Sequence, residues 1–241
     1  MPGKSVFERK RTMENKKKKR YGIVAALLLL VLAAGVGTYA WLTAQSSLTN
    51  NFTTAGINKP TTDPDKPGQP IPTDPDKVNG NLTETKWVKD SKLAPGVSVA
   101  KNPNVGIGKG SEDAYVYVFV NNKTAPAGTD DSKTTYFTIN SGWKAVDATA
   151  VAGEPTHYLG GLFVYIGGGT EATPLIASKT EDKWTGELFS QVTTPKETEQ
   201  KDFANPATME VNCFIYAADE TSEGSSASAL AAARDWANGL K

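Results

Sequence analysis

The chain has 241 residues, a single cysteine and no net formal charge at pH 7. This balance conceals an asymmetry: residues 1–20 hold nine Lys or Arg and two Glu, a charge of +7, whereas the other 221 residues hold 17 basic and 24 acidic residues, a charge of −7. A mildly acidic body argues against a nucleic-acid partner. One cysteine excludes an intramolecular disulfide, so the hydrophobic core has to hold the fold together.

The N-terminal 42 residues join a basic block to an apolar run. Residues 16–20 are all Lys or Arg, and residues 21–42 contain no charged residue and no proline. As a helix of about 22 residues at ~1.5 Å per residue, this run would reach roughly 33 Å, enough to cross the apolar core of a bilayer. We therefore predict an N-terminal signal or transmembrane helix, with a basic region at 1–20 and an apolar region at 21–40. Membrane contact is expected only through residues 21–42.

Two fates of this segment stay open. The small residues from Ala33 to Ala40 suit a signal peptidase and predict a cut between Ala40 and Trp41. The long basic leader instead suits an uncleaved anchor whose basic end lies in the cytoplasm. A type IV prepilin segment fits less well, because the glutamate usual near the start of a mature pilin is missing. The expected location is therefore secreted or cell-surface, with membrane anchoring if no cut occurs, and the lack of a disulfide favours a bacterial source.

Beyond the apolar run, residues 41–58 are predicted to form an extended segment and residues 59–82 a Pro-rich linker. The linker contains a repeat, because the sequence Thr-Asp-Pro-Asp-Lys at 62–66 recurs at 73–77. Its prolines forbid a regular ladder and favour an extended chain. The Asp-Pro-Asp pairs lack the glycine and the distal glutamate of a calcium loop, so no metal site is predicted there.

The pattern from residue 83 onward is that of β strands. Residues 114–120 are apolar on both faces, which predicts a central strand. A hairpin is predicted at Asn140-Ser141-Gly142, between strands at 136–139 and 143–146. Further strands are predicted at 158–166, 175–177, 184–192 and 209–218. About eight short strands indicate an all-β fold, an antiparallel, jelly-roll-like sandwich formed by residues 83–241.

The C-terminal residues 225–240 are rich in alanine and predict a short α-helix that Ser225 or Ser226 caps. Its apolar residues fall on one stripe: Ala229, Ala233, Trp236 and Leu240. This stripe favours packing on the sandwich over binding of a partner.

The sequence predicts no catalytic, cofactor-binding or metal-binding residue, and hence no enzyme. His157 is the only histidine and lacks the spacing of a zinc protease, and no Gly-x-Ser-x-Gly elbow occurs. Cys213 lies in an apolar strand and is interpreted as a small buried hydrophobe. Trp87, Trp143 and Trp184 could stack on a sugar, although core packing is the favoured interpretation.

Several short motifs follow one another along the chain. They are Gly37 to Thr43, Asn51 to Gly56, Leu93 to Gly96 with Lys101 to Pro103, Gly110 to Val116, and Ile215 to Ala218 ahead of the helix with Trp236. In this order they resemble the TasA–camelysin family of exported Gram-positive proteins. The resemblance implies cleavage by a signal peptidase of the SipW type, a jelly-roll domain and, for some members, assembly into biofilm-matrix fibres.

The resemblance also implies a donor strand. In β-strand addition, the segment freed at the new N-terminus completes the sheet of the next subunit. Here the donor would run from about Trp41 to Phe52, with Trp41, Leu42, Leu48 and Phe52 as its apolar residues. The Pro-rich repeat departs from the family pattern, and it would either extend the reach of this strand or form a surface stalk.

The expected function is that of a structural protein of the biofilm matrix or cell surface. Its expected partners are the signal peptidase, further copies of itself or other matrix proteins, with no cofactor. The alternative is a secreted or membrane-tethered module for carbohydrate binding or adhesion. A metallopeptidase, which camelysin relatives have been called, has the least support because no ligand set is visible in the sequence.

Overall fold

The computed structural model describes the backbone of residues 44–53 and the complete residues 56–88, 91–218 and 224–241. The strands of these ranges are β1 (Ala44–Thr53), β2 (Val78–Asn79), β3 (Leu82–Thr83), β4 (Ser98–Ala100), β5 (Asn104–Ile107), β6 (Ala114–Lys123), β7 (Trp143–Val151), β8 (Glu154–Tyr165), β9 (Lys183–Glu187), β10 (Gln191–Thr193) and β11 (Ala207–Ala217). One α-helix, α1 (Ser226–Asn238), follows them. The predicted N-terminal signal or transmembrane helix lies outside the described residues.

Strand β6 lies at the centre of the largest sheet, whose order is β1-β11-β6-β8-β7. Its side chains alternate between two apolar clusters, as the period of two in a strand requires. One cluster takes Ala114, Val116, Val118 and Val120, and the other takes Tyr117 and Phe119. The predicted central strand is thereby confirmed.

A second layer faces this sheet. It consists of a four-stranded sheet in the order β2-β3-β5-β9 and a two-stranded sheet formed by β10 and β4. The core between the layers combines buried residues of both, among them Leu82, Val105, Val211 and Ile215. The described chain is thus mostly antiparallel β-sheet with one C-terminal helix, an arrangement consistent with an all-β sandwich.

Helix α1 covers the outer face of the five-stranded sheet. The hydroxyl of Ser225 caps it by accepting a hydrogen bond from the N–H of Ser228 at 3.3 Å. Ala229 and Ala233 are fully buried, and the ring of Trp236 stacks on Phe214 with 5.4 Å between the centroids. The predicted capped helix that packs on the sandwich is confirmed.

The predicted hairpin at residues 140–142 is wrong. Trp143 begins β7, which pairs antiparallel with β8 rather than with residues 136–139. Tyr136 and Phe137 instead form isolated bridges to Thr193 and Tyr158. The long ladder between β7 and β8 is more stabilising than a short hairpin at residues 140–142 would be. The chain therefore continues as a strand after Gly142 and reverses direction only at residues 152–153.

Two other predicted strands are shorter than expected. The range 184–192 divides into β9 and β10, because the buried Leu188 and Phe189 between them enter the core. The range 175–177 contributes a single bridge, between Leu175 and Ala114.

Candidate assembly site

The candidate site is the edge strand β1 and the strand β11 that it covers. β1 runs parallel to β11, from Ala44 opposite Ala207 to Thr53 opposite Ile215, with an irregularity between Asn50 and Phe52. Every other strand pair of the described ranges is antiparallel. The first strand of the sandwich therefore lies beside its last strand, at one edge of the larger sheet.

The predicted donor residues lie only partly within the described ranges. Leu48 lies opposite Val211 in the register, and Phe52 lies opposite Phe214. Trp41 and Leu42, and Ala40 on the other side of the predicted cut, lie outside the described residues.

Strand β11 is built as an interior strand. It pairs with β6 over ten positions, from Thr208 to Ala217, and with β1 on its other side. Val211 and Cys213 are fully buried between the layers, while Phe214 packs under α1. Removal of β1 would leave one row of backbone N–H and C=O groups of β11 without its partners, an edge that another strand can fill.

The chain that follows β1 is held to the domain by Asp182. Its Oδ2 accepts hydrogen bonds from the backbone N–H groups of Thr61 (2.6 Å) and Thr62 (2.8 Å) and from both hydroxyls. Its Oδ1 accepts from the N–H of Lys109 at 2.9 Å. Burial alone would raise the pKa of Asp182, but these hydrogen bonds outweigh it and lower the pKa to about 2. The ionised carboxylate therefore clamps residues 61–62 at neutral pH.

Asn58 provides a second attachment. Its N–H donates to the hydroxyl of Ser111 at 2.9 Å, and its side chain donates to the carbonyl of Lys109 at 3.0 Å. The backbones also meet closely, since a Cβ at Gly108 would lie 2.3 Å from the carbonyl oxygen of Lys59. Only glycine fits at that position.

Gly56 lies at the junction between β1 and these attachments. Its φ is +90°, a backbone conformation that residues other than glycine rarely adopt. A Cβ there would also lie 2.8 Å from the carboxyl carbon of Glu112. Gly56, Asn58, Thr61 and Thr62 have hydrogen-bond partners in residues 109–112 and Asp182, and none of these partners belongs to β11. The strand is roughly 33 Å long at ~3.3 Å per residue. The chain directly after it would stay attached to its own domain, whichever copy's β11 the strand pairs with.

The Pro-rich repeat forms two equivalent turns. The carboxylate of Asp63 accepts from the N–H of Asp65 at 2.8 Å, and that of Asp74 accepts from the N–H of Asp76 at 3.0 Å. These Asx turns use the aspartates as local acceptors. A bridge between Thr62 and Pro70 further closes the first turn. At the end of the segment, Leu82 pairs with Val105 and the side chain of Asn81 donates to the carbonyl of Gly106 at 2.7 Å, so residues 59–82, predicted as a linker, contact the domain.

Lys101, the first residue of the motif at 101–103, forms a buried ion pair with Glu84. Lys101 and Glu84 are 1 % and 0 % exposed, and their charged atoms are 2.7 Å apart. The ammonium group also lies 5.1 Å from the ring centre of Trp87. Burial lowers the pKa of Lys101, and the carboxylate of Glu84 opposes that shift. This motif therefore has a structural role, since it connects the segments after β3 and β4.

His157 and Cys213 each lie in a structural environment. His157 is half-buried in β8 and stacks on Tyr136, with 4.1 Å between the ring centroids. Cys213 is fully buried, as predicted, and burial raises its pKa to about 12. Within the described ranges, no three His, Cys, Asp or Glu residues lie close enough to hold a metal ion.

The three tryptophans considered for sugar stacking differ in exposure. Trp87 and Trp143 are 3 % and 4 % exposed and belong to the core, as predicted. Trp184 is half-buried and lines a cleft of about 390 Å³ together with Thr61, Pro64 and Lys109. Only Trp184 of the three could contact a ligand.

Comparisons with protein-family models, with curated proteins and with solved structures found no match. The likeness to the TasA–camelysin family therefore stays a prediction from the motifs. Within the described ranges, no helix has the length and apolar character needed to cross a bilayer, and residues 21–40 lie outside those ranges.

Sequence reasoning missed the parallel pairing of β1 with β11 and the anchor at Asp182. Both join residues more than a hundred positions apart, and no local period marks such a pair. The sequence offered only a chemical signal for the anchor. Asp182 supplies a carboxylate just before the strand that contains Trp184, and Thr61 and Thr62 together carry two backbone N–H and two hydroxyl donors.

Proposed function

We propose that this protein is an exported structural component of a bacterial cell surface or extracellular matrix, and that its copies assemble by exchanging β1. The observation that carries the proposal is the position of β1, a terminal edge strand beside the interior strand β11. Support also comes from the predicted cut between Ala40 and Trp41, which would free the N-terminal end of this strand. We further assign the sandwich to the jelly-roll class.

The energetics favour exchange at high protein concentration. A β1 strand from a second copy would form the same main-chain ladder with β11 as the chain's own strand does, so the hydrogen bonds that break are equivalent to those that form. The balance then depends on concentration, because the chain's own strand acts at a high effective concentration. Donation in one direction would extend into a fibre, whereas reciprocal donation would close a dimer.

The anchor restricts the geometry of exchange. Residues 56–62 stay bound to their own domain through Asn58 and Asp182, so β1 leaves from a fixed point. The Pro-rich segment follows this anchor in the chain. We therefore propose that this segment does not extend the reach of β1, which leaves the surface stalk as the alternative that this proposal favours for the repeat.

The test is to purify the protein from the culture medium of a Gram-positive host, sequence its N-terminus and sediment it over a hundredfold range of concentration. We expect the chain to begin at Trp41 and its sedimentation coefficient to rise with concentration. Another N-terminus would refute the predicted cut. A monomer at every concentration would refute the assembly.

A carbohydrate-binding module is the second candidate, favoured by the cleft at Trp184. One side of its ring packs on Gly106, where a Cβ would lie 2.6 Å from the ring, and Thr61, Lys109 and Glu181 add polar groups nearby. Aromatic rings with flanking polar groups suit sugars. Binding on a glycan array that Trp184→Ala abolishes and Tyr136→Ala retains would favour this function, because Tyr136 lies outside the cleft.

A further inference from the structure

A second cavity lies between α1 and the outer face of the five-stranded sheet. Its volume is about 440 Å³, within the range of small-molecule sites. Its walls come from β6, β7, β8, the loop after β8 and the first turns of α1. They are mainly apolar and include Ala145, Val146, Val164, Ala172 and Leu230. The cavity thus suits a ligand with an apolar body.

Tyr117 lines this cavity from β6, and its buried hydroxyl has no hydrogen-bond partner among the described residues. Tyr117 is fully buried, and a buried hydroxyl without a partner is costly. Burial raises its pKa to about 12, so the hydroxyl stays protonated and can donate. A ligand with an acceptor group would satisfy it.

Further donors border the same cavity. Ser226 and Ala227 line it from the first turn of α1, where backbone N–H groups have no partner within the helix. That turn contains no acidic residue, so its partial positive charge is not offset locally. Lys144 lines the cavity from β7.

One acidic group also borders the cavity. Glu171 pairs with Lys144 at 2.8 Å, but the Glu171 side chain is 82 % exposed. An exposed pair of this kind is weak, and its carboxylate can turn toward solvent when another anion approaches the lysine. The polar groups of the cavity are therefore mainly donors or cations.

We propose that this cavity binds a small amphipathic anion, an aromatic or aliphatic carboxylate. Its apolar body lies against Val146, Val164 and Leu230, and its carboxylate accepts from the Tyr117 hydroxyl and the α1 N-terminus. The site does not overlap β1 or its anchor, so it stands whether or not the copies assemble.

The probe is 2-naphthoate, titrated by calorimetry into the full chain as purified, with 2-naphthylmethylamine as the cation of matched shape. We expect saturable binding of naphthoate at concentrations below about 1 mM and none of the amine. Tyr117→Phe removes only the hydroxyl and should weaken binding roughly tenfold. Ala227→Trp fills the mouth from an exposed helix position and should abolish binding.

The matched control is Ala231→Trp, which adds the same ring at an exposed position of α1 that does not line the cavity. It should leave the affinity for naphthoate unchanged. The proposal is overturned if no saturable binding occurs, if the amine binds equally well, or if naphthoate binds alike to the unmodified chain, Tyr117→Phe and Ala227→Trp. Thermal melting of each variant confirms that it is folded.

Discussion

At the scale of single residues, two carboxylates organise the segments around the candidate assembly site. Asp182 holds Thr61 and Thr62, and Glu84 neutralises the buried Lys101. The first accepts five hydrogen bonds near the surface, whereas the second lies in the core beside the ammonium group of Lys101. Removal of each carboxylate interaction should therefore lower the free energy of unfolding by a different amount and with a different dependence on pH.

Asp182→Asn should lower the free energy of unfolding by about 1–3 kcal/mol at pH 7, because an amide replaces a carboxylate that accepts five hydrogen bonds. The folded-state pKa of about 2 lies below the unfolded value of about 3.9. The stabilisation is thus complete above about pH 5 and is lost progressively as the pH falls through about 4 towards 2.

Urea unfolding at pH 7 and from pH 4 down to 2 checks this expectation. The asparagine variant should lack the part of the acid destabilisation that Asp182 causes. Glu181→Gln is the control, because its side chain is 70 % exposed and pairs only at the surface. Equal effects of the two substitutions at pH 7 would contradict the anchor.

Lys101→Met should lower the free energy of unfolding by about 3–5 kcal/mol, since it leaves the buried carboxylate of Glu84 without this cation. Addition of Glu84→Leu should restore much of the loss, because two apolar side chains can replace a buried pair. Urea unfolding of both single variants and the double variant measures the coupling. A double variant no more stable than Lys101→Met would show that the pair itself is not the source of the effect.

At the scale of elements, the sequence predicted those strands and the helix whose pattern is strong within one segment. The run at 114–120 has apolar residues on both faces, and the stripe from Ala229 to Leu240 repeats with the helix period. Both patterns belong to a single segment and do not depend on which other segment packs beside it. The central strand β6 and helix α1 were predictable for this reason.

Pairing partners were less predictable, because they depend on segments far away in the chain. The turn at Asn140-Ser141-Gly142 suggested a local hairpin, but β7 pairs with β8. The prolines at 59–82 suggested a linker, yet Asp182, more than a hundred residues later, binds Thr61 and Thr62. For the candidate site, the segment was predicted from resemblance, but its partner β11 in the same chain was not.

Leu48→Pro tests the ladder between β1 and β11. Proline removes a backbone donor, so the strand should detach. Deuterium uptake in residues 207–217 should rise on the side that β1 covers, while the amides bonded to β6 stay protected. Leu48→Ala keeps the N–H group and should leave the ladder formed. Unchanged deuterium uptake in the proline variant would show that the ladder with β1 does not protect the amides of β11.

A synthetic peptide of residues 42–53 extends the same test. Added in excess to Leu48→Pro, it should fill the edge of β11 and restore the slow exchange of residues 207–217, because the main-chain ladder does not require covalent continuity. A peptide with the same composition in scrambled order is the control. Restoration by both peptides would show that the edge accepts any strand, which contradicts a register set by residues 44–53.

At the scale of the whole molecule, a predicted export signal precedes a sandwich whose first strand is its edge. Cleavage after Ala40 would give β1 a free end, and β11 would accept the same ladder from its own chain or from another. The anchor at Asn58 and Asp182 would keep the two domains of an exchanged pair connected through one short crossing segment. Under the proposed function, the closed monomer and the open assembly would be two arrangements of the same β1–β11 ladder.

Disulfide trapping tests strand exchange most directly. One chain carries Ser47→Cys and the other Glu210→Cys, positions that lie opposite each other in the register of β1 and β11. The native Cys213 is buried with a raised pKa and does not interfere. Mixed at high concentration and oxidised, the two chains should form disulfide-linked pairs, whereas Ser47→Cys mixed with Glu154→Cys should not. Mixtures that stay monomeric, while the double variant Ser47→Cys/Glu210→Cys closes an internal disulfide, would show that β1 never leaves its own sheet.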